Sequence, residues 1–533
     1  MPDFSRLLPI YRQVWRMSLP VILTNLLVTL VNIVDVFMVG RLGSLEIAAV
    51  GMSNTIQMLI MVITFSITAG SMTLAAQAKG ARDFQRLSEV TRQSLSLTVI
   101  LAVILTIFGL LISAPLLHFL SSAGDTVAVE MGLSYLRILF WGTLFLVGNL
   151  MISSLMQGAG DTVTPLYLSG GMNLLNILFN YLLIFGPGPF PALGVAGAAL
   201  GTVLSRMLGV IAGILMFYSG KNVIKLLPGN YWPHWPMFRD ILSIGIPSGL
   251  QGLVRNTTQI LVVRIITSTA AGTFGAAALS IGLQIESLAF MPGLAISTAA
   301  TSLVGQALGA WQVRDARAKG DAAWVLGVIV MSVIGIPLFI WAPQMVGFFD
   351  PSLHPTVLEA GTSYLRIMAI TLPVLAVLMV INGALRGAGD STHGLIANIL
   401  GRWFTVLPIA YVLAITLEWG VVGVWWAISI GTLVSAVYVY WRWQGTGWPS
   451  VALYKSAVYR QHLKDLSKES REDFLQTIRT PLMALPETTE HVSQESVRYR
   501  LPDGDVVINF SSDGYVIAEG KIYFEQTRQS TQG

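Results

Sequence analysis

The chain has no cysteine, which excludes a disulfide framework and a thiolate metal site alike. Charge is scarce as well: 11% of its 533 residues are Asp, Glu, Lys or Arg, against about 25% in a soluble globular chain. Histidine is thin and scattered (His118, His234, His354, His393, His462, His491) and forms no His-Glu-x-x-His pair. An intramembrane enzyme would therefore lack both a thiol nucleophile and the usual metal pair, and no enzymatic activity is expected. What fills the chain instead is apolar: 54% hydrophobic residues and a mean hydropathy of +0.67. That composition defines a polytopic membrane protein.

Apolar runs near the length of about 20 residues needed to cross a bilayer recur twelve times, over 14–40, 46–78, 90–117, 131–157, 162–185, 194–219, 240–267, 275–308, 322–349, 358–385, 392–417 and 420–443. Backbone polar groups in lipid must be satisfied within the chain, so these spans should be helices and the fold class all-α. The first is no cleavable signal peptide, since it is too long and ends at Gly40-Arg41-Leu42-Gly43 without a small-x-small site.

The sequence pI near 9.2 does not point to nucleic acid, because the basic residues alternate with the spans. Arg6, Arg12 and Arg16 precede the first. Lys79, Arg82, Arg86 and Arg92 follow the second, Lys221, Lys225 and Arg239 the sixth, and Arg314, Arg317 and Lys319 the eighth. Positive charge marks the cytoplasmic side, so both termini are expected in the cytoplasm and the protein in the inner membrane.

The first half repeats in the second. Gln77-Ala78-Lys79-Gly80-Ala81 corresponds to Gln306-Ala307-Leu308-Gly309-Ala310, Tyr135-Leu136-Arg137-Ile138 to Tyr364-Leu365-Arg366-Ile367, and Gly158-Ala159-Gly160-Asp161 to Gly387-Ala388-Gly389-Asp390, each 229 positions on. Six helices per unit give parallel repeats, with a substrate path expected between them and alternating access as one rocks against the other. The expected domains are a lobe over 1–220, a cytoplasmic linker over 221–239, a lobe over 240–445 and a cytoplasmic tail over 446–533. In the tail, 455–480 reads as a surface helix and 497–526 as strands with turns at Pro502-Asp503-Gly504 and Ser512-Asp513-Gly514. The Gly-Ala-Gly-Asp segments read as tight cytoplasmic turns. Pro20, early in the first span, permits a bend there.

A carboxylate inside a span is rare and a functional candidate, and Asp35 is one. It lies at a depth similar to that of Asn176 and Asn180, which share a face of the fifth span, and of Thr202 in the sixth. Together they form an oxygen-rich set suited to Na⁺ or a proton; interhelical hydrogen bonding is the alternative. The repeat places Arg264 and Thr405 where the first half has Asp35 and Asn176, so this pocket belongs to one half only. Arg255 and Glu286 read as a buried pair or as part of a substrate cavity with Gln284, Met291 and Tyr135. Met-rich and aromatic walls can adapt to varied ligands. Arg137, Arg206, Arg366, Arg386 and Arg402 are expected to snorkel toward the cytoplasm.

The segment from Ser18 to Gly51, with Pro20, Asp35, Gly40, Leu42-Gly43 and Ala48-Ala49-Val50 in order, resembles the opening of the MATE (multidrug and toxic compound extrusion) transporters. The duplication and the Gly-Ala-Gly-Asp turns extend the resemblance over residues 10–445. It implies two six-helix lobes exchanging organic cations or drugs for H⁺ or Na⁺, no cofactor, and a monomer in the bilayer. It also implies ion coupling at Asp35, Asn176, Asn180 and Thr202, which would be the metal ligands if the ion is Na⁺. The NorM-like branch has an acidic residue early in the seventh span where this chain has Arg255 and Asn256, so the match tilts to the DinF-like branch. A lipid-linked oligosaccharide flippase of the same superfamily is the nearest rival. Arg255 and Arg264 suit its anionic cargo, whereas Asp35 and Glu286 do not.

Overall fold

The computed structural model describes residues 4–120, 126–220, 222–349, 354–445, 447–448, 496–501, 504–511 and 514–516. Helices dominate, because only a helix or a closed barrel satisfies its own backbone in lipid. The first repeat holds α1 (Phe4–Gly40), α2 (Ser44–Gly80), α3 (Phe84–Leu120), α4 (Thr126–Trp141), α5 (Thr143–Gly158), α6 (Val163–Phe185) and α7 (Val195–Ser219). The second holds α8 (Trp235–Thr267), α9 (Gly272–Gly309), α10 (Val313–Ile340), α11 (Ala342–Phe349), α12 (Pro355–Gly387), α13 (Ser391–Ile399), α14 (Leu407–Tyr411) and α15 (Gly420–Gln444). The chain is an all-α polytopic protein of twelve spans in two repeats, α4 with α5 and α13 with α14 each making one.

Among the described residues, ten helices are long and apolar enough to cross a membrane, and α4 with α5 adds an eleventh. The twelfth, α8, falls short because Gln251, Arg255, Asn256, Thr257, Thr258 and Gln259 crowd its middle. Two expected spans are interrupted. α4 and α5 meet at 51° around Gly142, where a side chain would lie 2.3 Å from Val203 of α7, so the close approach requires glycine. The ninth stops at Ile340, and α11 starts a separate short helix after Trp341.

We call the side on which α1 starts and α15 ends the terminal face. Helices α1 and α8 cross between the repeats. Val14 and Met17, near the start of α1, pack into the second repeat's core with Leu303, Val304 and Ala316. Met237, Phe238, Ile241 and Ile244, near the start of α8, pack into the first repeat's core with Leu74, Val90 and Leu155. Farther along, each returns to its own repeat: Val39 packs with Tyr135 and Ile184, and Val262 with Ala278 and Leu279. The repeats are thus interleaved at the terminal face.

The connection before α8 is fastened to α3. Ser88 Oγ accepts from Leu227 N (2.8 Å), Ser96 Oγ donates to Tyr231 O (2.7 Å), and Gln93 Oε1 accepts from His234 N (2.9 Å). Helix α8 starts at Trp235, before the expected end of the linker at Arg239. In the tail, β1 (Ser496–Leu501), β2 (Gly504–Ser511) and β3 (Gly514–Val516) pair as an antiparallel meander, Val497 opposite Ile508 and Phe510 opposite Tyr515. The expected helix over 455–480 and the strand pattern beyond Val516 lie outside the described residues.

Candidate functional site

Helix α6 buries a polar face. Pro165, Ser169, Asn173, Asn176, Asn180 and Ile184 are its buried residues, at the 3–4 residue spacing of one helix stripe. Leu174, Leu178 and Tyr181 point outward instead. The inversion follows from the solvent: lipid accepts leucine, while amides need partners inside the bundle.

Those partners connect the expected ion-site residues into one line. Asn180 Nδ2 donates to Asp35 Oδ1 at 2.7 Å and approaches Asn176 Oδ1 at 3.4 Å. Asn176 Nδ2 in turn donates to Thr202 Oγ1 at 3.3 Å, and Thr202 donates to Ala198 O at 2.9 Å. Three helices, α1, α6 and α7, therefore meet at one carboxylate, two amides and a hydroxyl. Asn180 is fully buried and its Oδ1 has no hydrogen-bond partner. Gly201 permits that approach, since a side chain there would come within 2.2 Å of the same oxygen. A buried acceptor without a donor is costly, and it belongs to the amide that also holds Asp35.

Two further residues border this site. Tyr135 and Arg206 are within electrostatic reach of Asp35 and of each other. Tyr135, a substrate-cavity candidate, packs in the first repeat beside Val39 and Ile184. Arg206 corrects the snorkelling expectation: it sits midway along α7, one turn past Thr202, too far from the terminal end to reach water there. Its spacing of four from Thr202 is the signal that could have found it.

The second repeat carries a different polar cluster. Tyr364, the counterpart of Tyr135, donates its hydroxyl to the Glu286 carboxylate. Arg255 and Arg402 are within electrostatic reach of that carboxylate. No Arg255–Glu286 ion pair forms among the described residues; the Arg255 guanidinium lies over the Phe290 ring, 5.9 Å from its centroid. Gln284 is exposed and Met291 half-buried on the same helix α9. Arg402 also departs from snorkelling: it sits in a π-helical stretch, Leu400–Val406, and lies within electrostatic reach of Glu286. Pro408 just beyond has no N–H to give the regular ladder, and wide turns of this kind absorb such a loss. Arg386 does lie at the terminal end of α12, but its guanidinium reaches Ser297 Oγ (3.4 Å) and the Phe65 ring (5.3 Å) rather than water. The structure thus brings together Asp35, Asn176, Asn180 and Thr202 in one half, and Glu286 with Arg255 in the other. Pro20 lies within an unbroken α1, and its carbonyl accepts from Thr24 Oγ1 at 2.8 Å.

Twelve spans in duplicate, with a polar cluster in each half, define a membrane transporter architecture. The MatE family model matches residues 20–182 and 247–412, one segment in each repeat and more than half of the chain. The chain belongs to this family, whose members are transporters and not enzymes. The multidrug resistance protein NorM of Burkholderia vietnamiensis is 30% identical over 435 residues, covering 80% of this chain and 92% of that one. The probable multidrug resistance protein NorM of Thermotoga maritima is 29% identical over 430 residues, covering 80% and 90%. Among solved structures, an outward-facing multidrug resistance MATE transporter superposes with a TM-score of 0.77 at 26% identity, covering 83% of this chain and 96% of that one. A MOP superfamily transporter from Pyrococcus furiosus, described as having a binding pocket of reversed polarity, gives 0.76 at 26% over the same shares.

Proposed function

We propose that the protein is a secondary active antiporter that exports organic cations or drugs across the inner membrane in exchange for H⁺ or Na⁺. The observation that carries this reading is the bonded line from Asp35 through Asn180 and Asn176 to Thr202, in which the buried Asn180 amide oxygen has no hydrogen-bond partner. Names of the relatives as multidrug resistance proteins support the cargo class. The ion would neutralise Asp35 and complete the shell of Asn176, Asn180 and Thr202, and α1 would then bend near Pro20 and reduce the cavity. Glu286, Arg255, Gln284, Met291 and Tyr135 would contact cargo. In this reading the lobes span 1–220 and 240–445, both termini are cytoplasmic, the protein works as a monomer, and it belongs to the DinF-like branch.

The test is efflux of a fluorescent organic cation from proteoliposomes under imposed Na⁺ or pH gradients, for the wild type and Asp35→Asn. Gradient-driven efflux lost in the variant supports the reading and names the ion. Undiminished antiport by Asp35→Asn overturns it. A second reading, a flippase for an anionic lipid-linked oligosaccharide, is favoured by Arg255, Arg386 and Arg402, none of which is ion-paired with a carboxylate among the described residues. Transbilayer movement of such a lipid, with no ion gradient effect on any cation tried, would select it.

A further inference from the structure

The Gly-Ala-Gly-Asp turns and the two glutamine segments meet across the repeats. Gln77 Nε2 of α2 donates to Gly387 O, the last residue of α12, at 3.1 Å. Gln306 Nε2 of α9 donates to Gly158 O, the last residue of α5, at 3.0 Å. One turn earlier on each helix a hydroxyl does the same: Thr73 Oγ1 to Arg386 O at 3.1 Å, and Ser302 Oγ to Gly158 O at 3.0 Å. Thr73 and Ser302, Gln77 and Gln306, and Gly158 and Gly387 are each 229 positions apart, so the two glutamine bonds are symmetry-related, while the matched hydroxyls reach acceptors one residue out of register, Arg386 O and Gly158 O. The acceptors have a physical reason to be there: the last carbonyls of a helix have no partner within it. Each repeat therefore caps a helix end of the other.

Close backbone approach accompanies these bonds. A side chain at Gly80 would lie 1.9 Å from Gln306 O, and one at Gly309 would lie 2.0 Å from Gln77 O. Within each repeat the capped helix end is packed as closely: a side chain at Gly158 would meet Met72 O and one at Gly387 would meet Thr301 O, each at 2.4 Å. All these contacts lie at the terminal face. The four hydrogen bonds and the approaches at Gly80 and Gly309 cross between the repeats, so separating the repeats there breaks the four hydrogen bonds together.

We propose that Gln77 and Gln306 are paired positioning residues of the transport cycle, a reciprocal amide-to-helix-end latch that holds the terminal face closed and must release for that face to open. Opening leaves two amides and two helix ends to be satisfied by water, which the aqueous mouth then supplies. The latch explains why both glutamines recur in register while Asp35 does not. The repeat preserves what must act on both sides of the seam.

The cysteine-free chain makes the test direct. Gln85 and Arg314 are exposed, 229 positions apart, and stand at the starts of α3 and α10 on the terminal face. Spin labels on Gln85→Cys/Arg314→Cys in full-length protein report their separation by pulsed electron resonance, without any substrate. We expect Gln77→Ala with Gln306→Ala to lengthen the distribution, with the open-to-closed ratio rising roughly fivefold for each lost bond. Gly80→Ala or Gly309→Ala should do the same by wedging the backbones apart. Variants that remain monodisperse with an unchanged distance distribution would overturn the latch. If the amide variants unfold, Thr73→Val with Ser302→Ala is the milder version: lengthening supports the latch, and no change overturns it. Because no transport is measured, failure of the antiporter reading would leave this outcome separately legible.

Discussion

Asn180 and Asp35 are 145 positions apart in sequence, yet their side chains meet at 2.7 Å. Asn180 is fully buried between α1 and α7, so its amide orients the carboxylate rather than merely facing it. Removing that donor as Asn180→Ala should weaken the coupling ion's effect. A hydrogen bond to a charged group contributes about 1.5–3 kcal/mol. The half-saturating ion concentration for efflux should rise by about tenfold or more. Ion titration in proteoliposomes reads it directly.

Gly201→Ala should act on the same site from behind. Its added carbon would meet Asn180 Oδ1 at 2.2 Å and Asn180 N at 3.0 Å. Overpacking of this kind costs about 1–3 kcal/mol. A lower melting temperature in detergent, together with weakened ion dependence, is the expected pair of changes. Full ion dependence would show that Asn180 can move without consequence.

In the second repeat, Tyr364→Phe should destabilise the protein by about 1.5–3 kcal/mol, since Glu286 then loses its hydroxyl donor inside the bundle. The double variant with Glu286→Gln should cost less than the two single changes added together. Thermal unfolding of the four proteins completes the cycle.

The two Gly-Ala-Gly-Asp turns should respond unequally to the same change. Asp390 is 4% exposed and takes both Arg442 Nε (2.9 Å) and Nη2 (2.7 Å), with His393 Nδ1 on its other oxygen at 2.7 Å. Asp161 instead accepts one backbone hydrogen bond from Thr164 at 2.9 Å. Asp390→Asn leaves Arg442 without its counter-charge and should cost about 3–5 kcal/mol. Asp161→Asn should change stability little, because asparagine serves equally well at a helix start. Melting temperatures of the two variants decide it.

The difference between Asp161 and Asp390 shows where sequence reading stops. Matching letters 229 positions apart revealed the duplication and the turns, but not that one aspartate is buried against Arg442, whose α15 partner position in the first repeat is different. Asp35, Asn176, Asn180 and Thr202 could be gathered from the sequence because depth follows from helical rise, and equal depth in neighbouring spans brings side chains within reach. Arg206 is not legible in the same way, because a long cationic side chain can snorkel to a surface, and only its place midway along α7 puts it beside Asp35. Glu286 stayed detached from Tyr364 because register comparison pairs a residue with its repeat counterpart, not with the helix beside it.

By itself the sequence determined the number of spans, the duplication and the polar residues of α6. Lipid imposes length and hydropathy on every helix, and those are properties of consecutive residues. Only the tertiary structure decided which polar groups face each other: the exchange of α1 and α8 between repeats, the break at Gly142, and the pairing of Gln77 with Gly387 and Gln306 with Gly158. Those depend on helix rotation and close backbone approach, which no single span encodes.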